Sequence, residues 1–256
     1  MKDSCFNIFA ILILIMAGAF SCAQPAEPVV EEEVVEVGPN TLTEQEIEDG
    51  FMLLFDGKTT SGWRSYNGDA FPETGWGVED GTLRLLSLGS GAEGRGGDIV
   101  YDGKFLDFHL KIDWKISEGG NSGIFFLGRE IQGRPIWHTA PEFQVLDNDR
   151  HPDALRGVDG NRKASALYDI LPPNPQNTRP AGEWNQAEII VYRGEITHRQ
   201  NGVDVLTYRL GTPEWEEMVE ESKFDVDIFG KYMEGFIGLQ DHSDDVWYRS
   251  IKLKRY

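Results

Sequence analysis

Between residues 105 and 116 the chain alternates without a break. Leu106, Phe108, Leu110, Ile112, Trp114 and Ile116 are apolar, while Asp107, His109, Lys111, Asp113 and Lys115 between them are polar. A period of two is the pattern of a strand with one face in a core and the other in water; a helix of period 3.6 would spread the same residues around its circumference. The stretch therefore predicts an antiparallel sheet that hides one face. His109 falls on the wet side of the stripe and reads as a surface residue rather than a site.

The rest of the chain repeats this architecture in shorter pieces. Phe51–Phe55 reads as a buried strand stopped by Asp56-Gly57, and Gly75–Leu86 as a hairpin turning at Asp80-Gly81. Two further hairpin turns are predicted at Arg193-Gly194 and Asn201-Gly202, between strands at 183–192, 195–200 and 203–208. Asp-Gly and Asn-Gly supply the positive φ that tight two-residue turns require. The last strands are expected at 235–240 and 246–254. A Gly-rich loop spans 89–97, and longer loops are expected at 147–164 and 171–182. Thr43 with Glu46 forms a capping-box pattern. One convincing helix follows Thr212-Pro213, with Trp215, Met218, Val219 and Ser222 on one side. Many short strands, 29 Gly and a single short helix point to an all-β, antiparallel sandwich or jelly roll.

The N-terminus has a different character. Lys2 precedes an apolar run from Phe6 to Phe20, short for a membrane span and ending in small residues. Ala17-Gly18-Ala19-Phe20-Ser21-Cys22 resembles a bacterial lipobox, so residues 1–21 read as a lipoprotein signal peptide and Cys22 as the lipidation site. The expected location is outside the inner membrane of a bacterium, lipid-anchored in the periplasm or at the outer membrane or cell surface. The second cysteine, Cys5, lies within the signal, so the mature chain keeps no thiol for a disulfide and must rely on core burial. Residues 22–45 read as an acidic, flexible tether, and 46–256 as the folded domain. From 23 to 50 there are nine acidic residues and no Lys or Arg, and the whole chain carries a formal charge of −19. That charge argues against nucleic acid as a partner and leaves neutral sugars and cations.

A polar strand stands out against this background. In Pro141-Glu142-Phe143-Gln144-Val145-Leu146-Asp147-Asn148, alternation puts Phe143 and Val145 on one side and Glu142 and Gln144 on the other. The polar side is either a solvated face of an antiparallel sheet or a ligand-binding floor. Three other features could meet it: Trp184-Asn185, His198 beside Ile196 and Gln200, and Gln240-Asp241-His242. A histidine suits proton transfer near neutral pH or, with carboxylates, a divalent cation. No His-x-x-x-His or Cys cluster supplies metal spacing. The turn Asp241-His242-Ser243-Asp244-Asp245 can also be read simply as polar.

Leu54-Phe55-Asp56-Gly57-Lys58 with Gly62-Trp63, Trp76 with Val78-Glu79-Asp80-Gly81, and Asn121-Ser122-Gly123-Ile124 recur in a known pattern. It continues through the polar strand, His151-Pro152-Asp153-Ala154, Ala166-Leu167-Tyr168-Asp169, Gly182-Glu183-Trp184-Asn185, Asn201-Gly202-Val203 and Gly238-Leu239-Gln240-Asp241-His242. In these segments the chain, from about 51 to 256, resembles the 3-keto-disaccharide hydrolase domain family, formerly DUF1080. Ser243 and Arg199 are its mild departures.

The resemblance implies a concanavalin A-like β-sandwich with a sugar-binding face, and cleavage of glycosides oxidised to a ketone at C3 by C2 proton abstraction and elimination. On that basis His242 or His198 is the expected proton-transfer group, with Glu142 orienting it or binding a cation. Asn121, Gln144 and Gln240 are expected to hydrogen-bond the sugar, with Asn185 and Asp241 beside them, and Tyr168 and Trp184 to stack on it. A divalent metal stabilising the enolate would lie near Glu142, Asp147 and His151. The competing expectation is a non-catalytic, lectin-like surface lipoprotein. Binding asks for aromatic platforms and amides, whereas catalysis asks for titratable groups as well.

Overall fold

The structure is a computed structural model and describes residues 37–86 and 96–256. The expected signal peptide and lipidation site Cys22, most of the expected tether and most of the 89–97 loop lie outside the described residues. In chain order the strands are β1 (Met52–Leu53), β2 (Trp63–Ser65), β3 (Trp76–Glu79), β4 (Thr82–Leu85), β5 (Ile99–Tyr101) and β6 (Phe108–Ile116). They continue with β7 (Asn121–Gly128), β8 (Glu142–Leu146), β9 (Asn185–Tyr192), β10 (Glu195–Gln200), β11 (Val203–Arg209), β12 (Phe236–Leu239) and β13 (Val246–Arg255). Among the described residues two α-helices accompany them, α1 (Glu44–Glu48) and α2 (Pro213–Glu220).

One sheet has the order β11-β10-β9-β6-β13-β4-β3, with β1 also beside β13; the other has the order β2-β5-β12-β7-β8, and every strand pairing is antiparallel. The expected concanavalin A-like sandwich is what forms. The central β6 shows why. Phe108, Leu110, Ile112, Trp114 and Ile116 are buried, while Lys111, Asp113 and Lys115 between them are partly exposed. The buried side meets β7 and β8 through Ile124, Phe126, Phe143 and Val145 in one apolar cluster. The hairpin turns formed as expected, with positive φ at Asp80-Gly81, Arg193-Gly194 and Asn201-Gly202. Thr212 caps α2 through Trp215 N, and α2 buries Trp215 and Val219.

Three details differ from expectation. Leu106 precedes the strand, which begins at Phe108, and is 52% exposed; Phe105 is buried in its place. His109 is not a surface residue. It is buried on the far side of β6, with Nε2 2.6 Å from Glu188 Oε2 and its ring against Phe51. The charged face of this sheet is partly covered by α1, whose Glu46 meets Lys111 Nζ at 3.2 Å and Lys252 Nζ at 2.6 Å. For the same reason the tether cannot extend to residue 45. Within the described residues, Asn40 exchanges hydrogen bonds with Ser250 and donates from Nδ2 to Gly81 O, and the Thr43–Glu46 capping box is complete.

Candidate active site

The polar strand β8 is buried along its whole length, Glu142 and Gln144 included. Phe143 points between the sheets, where its ring packs 4.9 Å from that of His198 on β10. Glu142 and Gln144 therefore face outward from the five-stranded sheet. They are buried because a loop closes over them. Residues 165–168 run along the free edge of β8, with Ser165 N donating to Gln144 O, Gln144 N to Ala166 O and Tyr168 N to Glu142 O. This covers an edge strand and roofs one side of a cavity at once.

The cavity holds about 270 Å³ and is lined by Asn121, Trp137, Glu142, Gln144, Tyr168, Lys223, Phe224, Gln240 and His242. Its floor is local sheet geometry. Asn121 and Gly123 lie on β7, where Gly123 is paired with Gln144, and Gln240 follows β12 with its N–H donating to Gly123 O. Its walls come from far along the chain: Trp137 from a 3₁₀ turn at Ile136–His138, Tyr168 from the covering loop, and Lys223-Phe224 from the segment after α2.

The electrostatics centre on Glu142. Burial raises its pKa to about 8, against which Lys223 is a partial offset. With its amide oriented to satisfy its neighbours, Gln144 donates from Nε2 to Glu142 Oε1 and to Ser122 O, each at 3.0 Å. Burial in turn lowers the pKa of Lys223, whose Nζ lies 4.3 Å over the Tyr168 ring. Asn121 Oδ1 and Gln240 Oε1 are buried without a partner. Unpartnered buried acceptors are costly, and both residues line the cavity, where a hydroxyl-bearing ligand can satisfy them.

Gly123 makes room for this arrangement. A Cβ there would meet Glu142 Oε1, and would come within 2.8 Å of its Cγ. Gly123→Ala should therefore swing the Glu142 carboxyl out of position. We expect kcat/KM to fall about 10–100-fold with little change in Tm, measured by steady-state kinetics beside a thermal melt. Unchanged kinetics would mean that the carboxyl's position is unimportant.

Of the residues expected at the site, Glu142, Gln144, Asn121, Tyr168, Gln240 and His242 line this cavity. The others are elsewhere. His198 is fully buried between the sheets among Phe126, Phe143 and Tyr208, with Nδ1 3.1 Å from Ser165 O. Burial lowers its pKa to about 4, so it is a neutral core residue at pH 7. Trp184 lies beneath Arg249 and Lys115 on the outer face of the larger sheet, 3.9 and 5.1 Å from the two cations. Asn185 is buried and accepts from Arg179 N, Gln200 Nε2 and Asn201 Nδ2, tying a loop to a hairpin. Asp241 accepts from Gly97 N and Ser243 N and shapes its own turn.

The expected metal set Glu142, Asp147 and His151 does not converge as a unit. The Asp147 carboxylate is taken up by Gly119 N and Asp149 N at 2.7 and 3.0 Å. Instead, His151 comes together with His242 and Asp244, one ligand atom of each within 4.8 Å of the others. Trp137, Lys223, Phe224 and Asp244 were missed. Only Asp244 had a signal in the sequence, its place in the turn after His242.

The family described as a 3-keto-alpha-glucoside-1,2-lyase-like domain matches residues 50–254. The 3-keto-disaccharide hydrolase of Bacteroides thetaiotaomicron is 46% identical, over 80% of this chain and 78% of its own length. A crystal structure of a glycosyl-hydrolase candidate from Parabacteroides distasonis superimposes with a TM-score of 0.76 at 29% identity, covering 86% of this chain and all of that one. Another from the same organism gives 0.58 at 29% identity, over 81% of this chain and 84% of its own. With four-fifths of its length matched at this identity, the chain belongs to the 3-keto-alpha-glucoside-1,2-lyase-like domain family.

Proposed function

We propose that the substrate of this glycoside-cleaving enzyme is a glycoside already oxidised to a ketone at C3, and that Glu142 moves the proton on which cleavage depends. The observation that carries this is the environment of Glu142. It is a buried carboxyl on the floor of a cavity at the small end of the range for small-molecule sites, with its pKa raised to about 8. An ordinary glycosidase uses two carboxylates about 5–9 Å apart across the scissile bond. Among the described residues that line the cavity, Glu142 is the only carboxylate.

A ketone at C3 acidifies the hydrogen on C2, and one basic group can then suffice. The Glu142 carboxylate takes that proton and the C–H electron pair moves into an enolate. Expulsion of the glycosidic oxygen from C1 forms the C1=C2 double bond, and Glu142 returns its proton to the departing oxygen. Water adding across the double bond completes a net hydrolysis. A carboxylate with a raised pKa is a better base than an ordinary one, and near neutral pH it can both accept and release. The Lys223 ammonium offers charge stabilisation to the enolate oxygen. Asn121 Oδ1 and Gln240 Oε1 accept from sugar hydroxyls, and Trp137, Tyr168 and Phe224 supply ring faces.

The deciding assay is release of a chromogenic alcohol from a 3-keto-glucoside, run beside its unoxidised parent. We expect release from the keto substrate alone. Comparable release from the parent would overturn the elimination chemistry, and release from neither would overturn the substrate assignment.

A further inference from the structure

We propose that His151, His242 and Asp244 form a binding site for one divalent transition-metal cation at the mouth of the cavity, placed to receive the ketone oxygen of the substrate. The inference rests on the 3-keto-glycoside reading for the role of the ion, though not for its binding.

The three side chains come from two separate loops. His151 opens the 3₁₀ turn Pro152–Leu155, and His242 and Asp244 lie in the turn between β12 and β13. One ligand atom from each lies within 4.8 Å of the others. A transition-metal ion with bonds of about 2.1 Å draws such atoms to about 3.0–3.4 Å apart. The remaining closure falls to His242, whose side chain is 49% exposed and can move. Asp244 is held in place, since its Oδ2 accepts from Asn121 N at 3.0 Å, which is the outer support a carboxylate ligand needs. The same oxygen lies 3.9 Å from His242 Nδ1. The two imidazole rings are 6.1 Å apart and nearly perpendicular, so they do not stack and can both turn an edge toward one point.

The donor set selects the ion class. Two imidazoles and one carboxylate suit Zn²⁺, Mn²⁺ or Fe²⁺ rather than Ca²⁺ or Mg²⁺, which take oxygen ligands. Three protein ligands leave coordination positions open for substrate or water. His151 pays one small cost: its Nδ1 accepts from Asp153 N at 3.2 Å. An ion at Nδ1 replaces that long contact, and an ion at Nε2 puts the ring proton on Nδ1 and ends it. His242 lines the cavity together with Asn121 and Gln240, so the ion would border the two unpartnered acceptors. A Lewis acid there stabilises negative charge on the oxygen of an adjacent enolate.

The test begins with the full chain stripped by EDTA and dialysed. Isothermal titration with Mn²⁺ and with Zn²⁺ should show one ion per chain, and the ion should raise Tm. His151→Ala and Asp244→Asn should each weaken binding at least tenfold, and the double variant should abolish both the binding heat and the Tm gain. Circular dichroism establishes that the variants are folded. His242→Asn, at a half-exposed position, repeats the test where folding is least at risk. No binding by the parent, or equal binding by the folded variants, would overturn the site. If the ion binds but a 3-keto-glucoside is not cleaved, the site stands and the substrate assignment fails. If the metal-free protein cleaves 3-keto-glucoside as fast as the loaded one, the catalytic role of the ion is overturned and the substrate assignment stands.

Discussion

Glu142→Gln is expected to lower kcat/KM on a 3-keto-glycoside by about 10³-fold, roughly 4 kcal/mol of transition-state stabilisation. The amide keeps the shape of the side chain and its contact with Gln144, but it can neither take nor return a proton. The parent should show a matching pH profile. Its kcat/KM should rise with pH as the carboxyl ionises and level off above about 8, where burial has placed its pKa. The same shift has a consequence for stability. A carboxyl whose folded pKa lies above its unfolded value favours the folded state fully at pH below about 4.5, and that contribution is lost as pH rises toward 8. Glu142→Gln removes the buried acid, so it should raise Tm by several degrees at pH 9 and change it little at pH 5. A variant that kept parental kinetics would remove Glu142 from the chemistry. One that lost activity together with its fold would be uninformative, and the melt at pH 9 excludes that case.

His198→Ala should do the opposite, costing stability and leaving chemistry intact. The ring fills space among Phe126, Phe143 and Tyr208 between the sheets. Removing it should cost about 3 kcal/mol, or about 6–12 °C in Tm for a domain of this size. At 25 °C the folded variant should cleave substrate within about twofold of the parent. The residue also makes the protein acid-sensitive. His198 is held neutral with a pKa of about 4, below the 6.5 of a free imidazole. Between those values the unfolded chain binds the extra proton, so its contribution to stability is present above pH 6.5 and is lost as pH falls toward 4. The loss at pH 4.5 amounts to roughly 2–3 kcal/mol. His198→Phe keeps a ring in the core and cannot titrate, so its urea midpoint should fall less than the parent's between pH 7 and pH 4.5. A His198→Ala variant with parental Tm and no activity would restore His198 to the catalytic set.

The contrast between His198 and His242 shows how far sequence reading carries. His242 sits in a recurrent motif and His198 beside a departure from the pattern, and both are histidines near carboxylates or amides in sequence. His198 did carry a warning, because alternation puts it on the same side of β10 as Ile196, which is fully buried. A strand face shared with a core isoleucine is a core face, whatever the chemistry of its other occupants. His109 went the other way. It lies on the polar side of β6, yet Glu188 from β9 and Phe51 cover it. Alternation assigns a side chain to a face, but it does not say what lies over that face. The same limit hid Trp137, Lys223 and Phe224, each from a segment with no motif, and brought Trp184 to the wrong sheet face.

The strands, the hairpin turns, the caps of α1 and α2, and the outward direction of Glu142 and Gln144 followed from the sequence by itself. Each depends on residues within one element, through period-two alternation, positive φ at Asp-Gly, Arg-Gly and Asn-Gly, and a hydroxyl at an N-cap. Tertiary structure alone decided that the outward face of β8 is a closed, low-dielectric floor rather than a wet surface. That required the 165–168 segment to lie along the edge of β8, Gly123 to leave space across from it, and Lys223 to arrive from beyond α2. Desolvation is a sum over everything packed around a group, and so the raised pKa of Glu142 belongs to the assembled fold and to no single stretch of the chain.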